Sequence, residues 1–301
     1  MYDLIIIGGG PAGLTAAIYA IRKRLNVLLI SKDLGGMTNF HLSLPWADDY
    51  QVIRGLEIVN KFKSELEYLK FAHQMESVEH IEKLPGGFAV HAKNGAKFEA
   101  RALIIASGTR TKRLGVPGEK DYIMRGLCFS ALSYAPLFID KETAVVGEGE
   151  LALRSAAELA TVAKHVTLIG PQGAVLETPL GAKLRKAKNV TIRAGYQVVA
   201  VKGNGWADEV LVKSPQGKEE SVRTDGIFIE LGLAANSQIV AGLVELDAEG
   251  RIRVDNMART NVPGIFAAGD VTTSYAEQVL IAVGDGAKAA LSAYDYLLPA
   301  L

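Results

Sequence analysis

Leu4-Ile5-Ile6-Ile7-Gly8-Gly9-Gly10-Pro11-Ala12-Gly13-Leu14 opens the chain, and its reading decides the fold. Four branched aliphatic residues run straight into glycine, the pattern of a strand covered on both faces in a parallel sheet. Gly8 permits a tight turn, Gly10 lets a pyrophosphate approach the backbone, and Gly13 allows the next helix to pack closely on the strand. A helix beginning near Pro11 then points its N-terminal amides at the phosphates. A glycine triplet alone is weak evidence. Its place between a strand and a helix makes it specific.

A second copy of this unit lies further along. Thr143-Ala144-Val145-Val146-Gly147-Glu148-Gly149-Glu150-Leu151-Ala152 is followed by a helical stretch to Ala163 and by His165-Val166-Thr167-Leu168-Ile169. The first copy continues likewise, through a periodic stretch to Arg22 and then Asn26-Val27-Leu28-Leu29-Ile30. A third strand follows in each region, Arg101–Gly108 and Gly226–Gly232. Short alternating, turn-punctuated stretches, Phe71–Phe98 and Val198–Val222, read as β-meanders. The fold class is therefore α/β, with two Rossmann-like three-layer nucleotide-binding domains that each carry a small meander.

Composition narrows the function. The 33 acidic and 33 basic residues balance, so no global charge argues for nucleic acid or an anionic membrane surface. Cys128 is the single cysteine, which excludes an internal disulfide framework and fits a reducing compartment. The apolar start lacks a basic region before it, and no run approaches the ~18 apolar residues of a membrane span. The chain reads as cytoplasmic and soluble. Its five histidines are scattered without metal-ligand spacing, so no metal site is expected.

Along nearly its whole length the chain resembles the short, two-domain thioredoxin reductases. The resemblance rests on ordered motifs: the opening glycines, Gly35-Gly36, Ala106-Ser107-Gly108, Leu114–Glu119, the second glycine unit, Gly232–Asn236 and Gly264–Asp270. It implies non-covalent FAD, a homodimer, and electron flow from NADPH through flavin to a disulfide. It also implies that Gly269-Asp270 contacts the FAD ribityl–pyrophosphate and that the last helix aims its N-terminus at the flavin's pyrimidine edge. Because the FAD motifs stand at both ends of the chain, the FAD domain is split into 1–112 and 242–301. The NAD(P)-binding-like domain, 113–241, is inserted into it.

The expected FAD contacts begin with Gly8, Gly10, Pro11, Ala12 and Gly13. Ser31 and Lys32 follow, where an acid would ordinarily hold the adenosine ribose, and serine still offers a hydroxyl. Gly35, Gly36, Met37 and Thr38 come next, then Val78, then Ala106, Ser107 and Gly108. Gly269, Asp270, Glu277, Gln278 and Val279 complete the set. Glu277 stands where the family carries arginine; it is expected to begin the last helix, and near the flavin it would oppose the charge gained on reduction. Phe40, His41, Trp46 and Tyr50 lie in a segment, Met37–Arg54, that could cover the flavin, although aromatic residues there more often pack.

The departures fall where the chemistry would be. Aligned on the family's Cys-x-x-Cys-Asp, this chain has Ser130, Ser133 and Tyr134, so no catalytic residue is assigned. Cys128 reads as a small buried hydrophobe. Gly147, Gly149 and Ala152 keep a dinucleotide fingerprint. Yet Gly170-Pro171-Gln172 replaces the basic cluster that would clamp a 2′-phosphate, and Glu148 adds negative charge. A working NAD(P)H site and a degenerate scaffold both remain open.

The leading expectation is an FAD-dependent oxidoreductase passing electrons to a non-disulfide acceptor: a quinone-like molecule, oxygen, or a carrier protein such as ferredoxin. Related ferredoxin reductases normally carry a C-terminal extension over the flavin, whereas this sequence ends soon after its last helix. Alternatives are a flavin-binding sensor or docking module without turnover, and a disulfide reductase using Cys128.

Overall fold

Tyr2–Ile7 forms a strand whose residues Leu4, Ile5 and Ile6 are wholly buried. The computed structural model describes residues 1–47 and 55–301, so Tyr50 lies outside the described residues. The strand lies between Val27–Ser31 and Lys97–Ile105, parallel to both, with Ile5 opposite Leu28 and Leu103. Its side chains alternate between two apolar clusters. Leu4 and Ile6 join Ala16, Ala17 and Ala20 of the helix Pro11–Arg22, while Ile5 and Ile7 join Phe88, Val240 and Ile252 on the other face. Two covered faces explain why the run is uninterruptedly apolar. Each such buried aliphatic side chain contributes roughly 1.5–3 kcal/mol, so a charge at Ile6 would break the unit.

The chain divides into two compact units. One comprises Met1–Asn39, Ile53–Arg110 and Ala234–Leu301, and the other Phe40–Val52 and Thr111–Leu233. In the first, the strand order is His73–Met75, Val27–Ser31, Tyr2–Ile7, Lys97–Ile105, then the antiparallel Gly87–Ala92 and Val78–Leu84. Ile265–Ala267, from the far end of the chain, adds in parallel to Lys97–Ile105. In the second unit, five parallel strands run in the order Val190–Ala194, His165–Gly170, Glu142–Val146, Gly226–Ile229, Leu127–Cys128. A separate antiparallel meander, Gln197–Gly203, Ala207–Lys213 and Glu219–Arg223, completes it. Both are Rossmann-type α/β units.

The unit boundaries differ from the sequence expectation at three places, the smallest being Thr111 and Lys112, which fall in the second unit. The expectation assigned residues 40–52 to the 1–112 segment, but Leu42 and Leu44 pack into the second unit's core with Cys128 and Phe138. Trp46 follows them there, its indole N–H donating to the Leu137 carbonyl at 2.9 Å and its ring meeting Phe138 edge-on. Trp46 therefore packs within the second unit. At the other boundary, Ala235 and Val240 belong to the first unit's core rather than to 113–241.

The helix Pro11–Arg22 and the C-terminal helix Val279–Leu297 pack through small residues. A methyl group on Gly286 would collide with the Ala12 carbonyl, and one on Gly269 would stand 2.9 Å from the Ala12 Cβ. The closing segment of the chain is thereby held against the opening turn.

Candidate functional site

The opening turn shows which of its glycines the fold needs. Gly8 has φ +113°, and a side chain there would strike the Ala106 carbonyl; one on Gly13 would strike the Gly8 carbonyl. Gly10 differs. It caps the helix with an ordinary φ of −74°, and a methyl group placed on it would meet nothing within 4 Å. The protein supplies no reason for glycine at that position, whereas a phosphate lying against the backbone does. The helix has no side-chain cap and no acid in its first turn. Its leading amides are thus available to an anion.

The loop after Val27–Ser31 closes over this turn. Ser31 Oγ accepts from the Gly9 amide at 2.8 Å, and the Gly35 amide donates to the Gly9 carbonyl at 2.7 Å. Asp33 Oδ1 accepts from the Gly36 amide at 2.9 Å, and Thr38 Oγ donates to the Gly35 carbonyl at 2.7 Å. Gly36, at φ +58°, passes so close that a methyl group would sit 3.1 Å from the Gly10 Cα. Ser31 thus fixes the turn, with its own proton still free to face a ligand. Lys32 and Met37 are exposed beside it, and Val78 is half-buried at the start of its strand.

Two further segments converge on the same turn. Ser107 Oγ donates to the Asn236 carbonyl at 2.7 Å and Asn236 Nδ2 returns a bond to the Ser107 carbonyl at 3.0 Å. With the Asn236 amide on the Gly108 carbonyl at 2.9 Å, these bonds fix the Ala106-Ser107-Gly108 strand end. Beside it, the Ala268 amide donates to the Ile105 carbonyl at 3.0 Å and leads into Gly269-Asp270. Burial, then the charges of Glu277 and Asp285, push the Asp270 carboxyl up to about 6, against the pull of Arg251. Of the residues expected to hold FAD, the opening turn, Ser31, Gly35-Gly36, Ala106-Ser107-Gly108 and Gly269 are brought together from both ends of the chain, all within the first unit. The open space at Gly10 and the uncapped helix start leave room for the pyrophosphate of a dinucleotide such as FAD.

One expectation is corrected. Glu277 does not begin the last helix, which starts at Val279 with Gln278 as its cap and no side-chain capping bond. The Glu277 carboxylate instead lies 3.4 Å from the Arg251 guanidinium. Sequence reasoning missed Arg251 and Asp33 and gave Asn236 no role beyond its place in the Gly232–Asn236 motif, because each acts through a tertiary or turn contact.

The second unit repeats the turn with different electrostatics. Gly147 is required by close approach, since a methyl group there would stand 2.5 Å from the Glu230 carbonyl oxygen and 2.8 Å from the Ala152 Cβ. Gly149, at φ −100°, again has open space within 4 Å. Here the helix begins with Glu150, held by Arg154 at 2.7 Å, and Glu148 is exposed next to it. Acids at this helix end occupy the electrostatic place that a phosphate would take.

Ser130 and Ser133 stand at the start of the short helix Ala131–Tyr134. Ser130 Oγ donates to Ser133 Oγ at 3.1 Å and accepts from the Ser133 amide at 3.2 Å. Beneath them, Glu230 accepts from the Ala131 amide at 3.0 Å, and burial pushes its carboxyl up to about 7. Cys128 is 0% exposed; burial, and then the charge of Glu230, push its thiol well above the ordinary value. Such a thiol is a poor nucleophile and a poor redox centre.

Among the described residues no helix is long and apolar enough to cross a membrane, and no three His, Cys, Asp or Glu side chains cluster to hold a metal ion.

Comparison with known proteins places this geometry in context. The sequence profile of the family described as pyridine nucleotide-disulphide oxidoreductase matches residues 2–286. A subunit of the alkyl hydroperoxide reductase of Pseudomonas aeruginosa is 36% identical over 308 residues, covering 99% of this chain but 58% of that protein. The Staphylococcus aureus counterpart is 34% identical over 300 residues, with 99% and 59% covered. The chain thus spans less than two thirds of these relatives' length. Among solved structures, the thioredoxin reductase of Streptococcus pyogenes matches with a TM-score of 0.88, 34% identity and 99% of each chain covered. The Giardia duodenalis thioredoxin reductase matches with a TM-score of 0.84 at 28% identity, again with 99% of each chain covered.

Proposed function

This chain belongs to the pyridine nucleotide-disulphide oxidoreductase family, and we propose that it is an FAD-dependent oxidoreductase whose electrons leave the flavin for an acceptor other than a dithiol within these 301 residues. One observation supports the reading: Ser130 and Ser133, which the resemblance aligns with the family's cysteine pair, carry hydroxyls that hydrogen-bond at 3.1 Å and have no thiol–disulfide chemistry. The buried Cys128 offers no replacement. FAD, when bound, supplies the electron carrier. The chain's own work is to seat it: Gly10 opens room for the pyrophosphate, the helix starting at Pro11 presents amides to it, and Asp270 lies at the strand end expected to meet the ribityl chain.

A quinone-like molecule, oxygen or a carrier protein of the ferredoxin kind would serve as acceptor, and the resemblance implies a homodimer. Electron entry follows from the second turn. Glu148, Glu150 and the base-free Gly170-Pro171-Gln172 favour a dinucleotide without a 2′-phosphate over NADPH. The same acids support a second reading, in which this unit no longer takes a nicotinamide nucleotide and the protein is a flavin-binding docking or sensor module.

Anaerobic mixing of the FAD-loaded protein with NADH, NADPH and reduced ferredoxin separates the readings. Flavin bleaching within seconds by one of these donors supports the oxidoreductase. Bleaching by dithionite alone supports the module. Protein that binds no FAD would end both.

A further inference from the structure

Three carboxylates surround the C-terminal strand end. Asp270 is expected to meet the flavin's ribityl–pyrophosphate, Glu277 precedes the helix aimed at its pyrimidine edge, and Asp285 lies on that helix. Glu277 and Asp285 both act on Asp270 through their charge. Left alone, such a cluster would repel both the pyrophosphate and the negative charge that flavin gains on reduction. Asp285 is partly answered by Lys288 at 3.1 Å and Ser274 at 2.9 Å. The counter-charge for Asp270 and Glu277 comes from elsewhere in the chain.

It comes from the turn Asp247–Arg251. Asp247 Oδ1 accepts from the Glu249 and Arg251 amides at 3.0 and 2.7 Å, and the Asp247 amide donates to the Arg251 carbonyl at 2.8 Å. The next residue is clamped to the strand end, since the Ile252 amide donates to the Val271 carbonyl at 2.9 Å and the Thr273 amide donates to the Ile252 carbonyl at 3.1 Å. This registration sets Arg251 alongside Asp270-Val271. Its guanidinium then lies 3.4 Å from the Glu277 carboxylate.

We infer that Arg251, oriented by Glu277, is the positive charge that this chain presents to its flavin, in place of the arginine that the thioredoxin reductases carry at the position of Glu277. The assignment rests on the FAD reading above. Glu277 is then a positioning residue that holds the guanidinium and partly offsets it. An ordinary surface ion pair would be worth little. This one differs because the buried Asp270 feels both partners, Glu277 raising its carboxyl and Arg251 lowering it.

The test uses the FAD-loaded full chain, with FAD affinity read by fluorescence and midpoint potential read by dye-equilibrated reduction. Arg251→Gln is expected to weaken FAD about 5-fold, the effect of one nearby charge, and to move the potential to more negative values. Glu277→Gln is expected to move it positive. The double variant is expected to fall between them, and Arg251→Lys to recover most of the loss. Bound flavin with an unmoved potential in both single variants overturns the assignment alone; a wild-type protein that cannot bind FAD overturns the FAD reading with it. If Arg251→Gln does not fold, Glu277→Gln decides by itself, and an unshifted potential there overturns the assignment.

Discussion

Ser130 Oγ lies 3.1 Å from Ser133 Oγ at the mouth of a short helix, with Ser130 capping the Ser133 amide. Serine at the cap and at the third helical position is a stable local solution in its own right. It is also the spacing at which two thiols would meet.

That coincidence makes the first prediction. Ser130→Cys with Ser133→Cys should close an intramolecular disulfide, because the two positions already sit in a helix-start Cys-x-x-Cys arrangement. Denatured oxidised variant should then show one titratable thiol, from Cys128, the chain's single native cysteine. Finding all the thiols free after mild oxidation would contradict the geometry.

Cys128 itself should be silent. It is 0% exposed, and both burial and Glu230 hold its thiol protonated. A thiol reagent should label it only after denaturation. Cys128→Ser should leave flavin reduction unchanged while costing roughly 1–3 kcal/mol for a buried hydroxyl. Loss of electron transfer in a folded Cys128→Ser protein would instead favour a disulfide reductase.

The two glycines of the first turn should separate ligand from fold. Gly10→Ala meets no protein atom within 4 Å, so the apoprotein should melt as before while FAD binds at least about 10-fold more weakly. Gly13→Ala drives a methyl group into the Gly8 carbonyl and should cost about 2–3 kcal/mol or more of stability. Thermal melting beside a flavin titration distinguishes them.

The pH dependence of stability should carry the mark of Glu230. Its carboxyl is raised from 4.5 to about 7, so folding takes up a proton between those values. The group's favourable contribution is complete below about pH 4.5 and disappears as pH climbs through 7. Asp270, raised from 3.8 to about 6, acts in the same direction. Glu230→Gln keeps an acceptor for the Ala131 amide and should flatten the decline in melting temperature between pH 5 and 8, an effect bounded at roughly 3 kcal/mol. An unchanged slope would show that Glu230 is ionised without penalty.

The parts of this site that the sequence announced are those whose causes are local. Gly8 is demanded by its φ of +113° and Gly13 by its close approach to the Gly8 carbonyl, both within one strand-turn-helix unit. Each leaves a glycine that can be read directly. What stayed hidden depends on segments far apart in the chain. The Ser107–Asn236 bracket joins residues 129 apart, and neither residue type is unusual for a loop. The Glu277–Arg251 pair was misread because a carboxylate just before a helix suits the helix dipole equally well. Leu42 and Leu44 are apolar wherever they pack, so their pattern could not say which of two cores takes them.

The placement of Ile265–Ala267 beside Lys97–Ile105 also has a consequence for biosynthesis. A ribosome delivers all of Thr111–Leu233 before the segment that completes the first sheet exists. The inserted unit can therefore fold while its host still waits, with the flank of Lys97–Ile105 and the alanine face of the opening helix uncovered. Seating of a cofactor between the two segments must then wait until residues 265–297 have been made, and a chain cut short before Val279 would emerge with the alanine face of the opening helix uncovered.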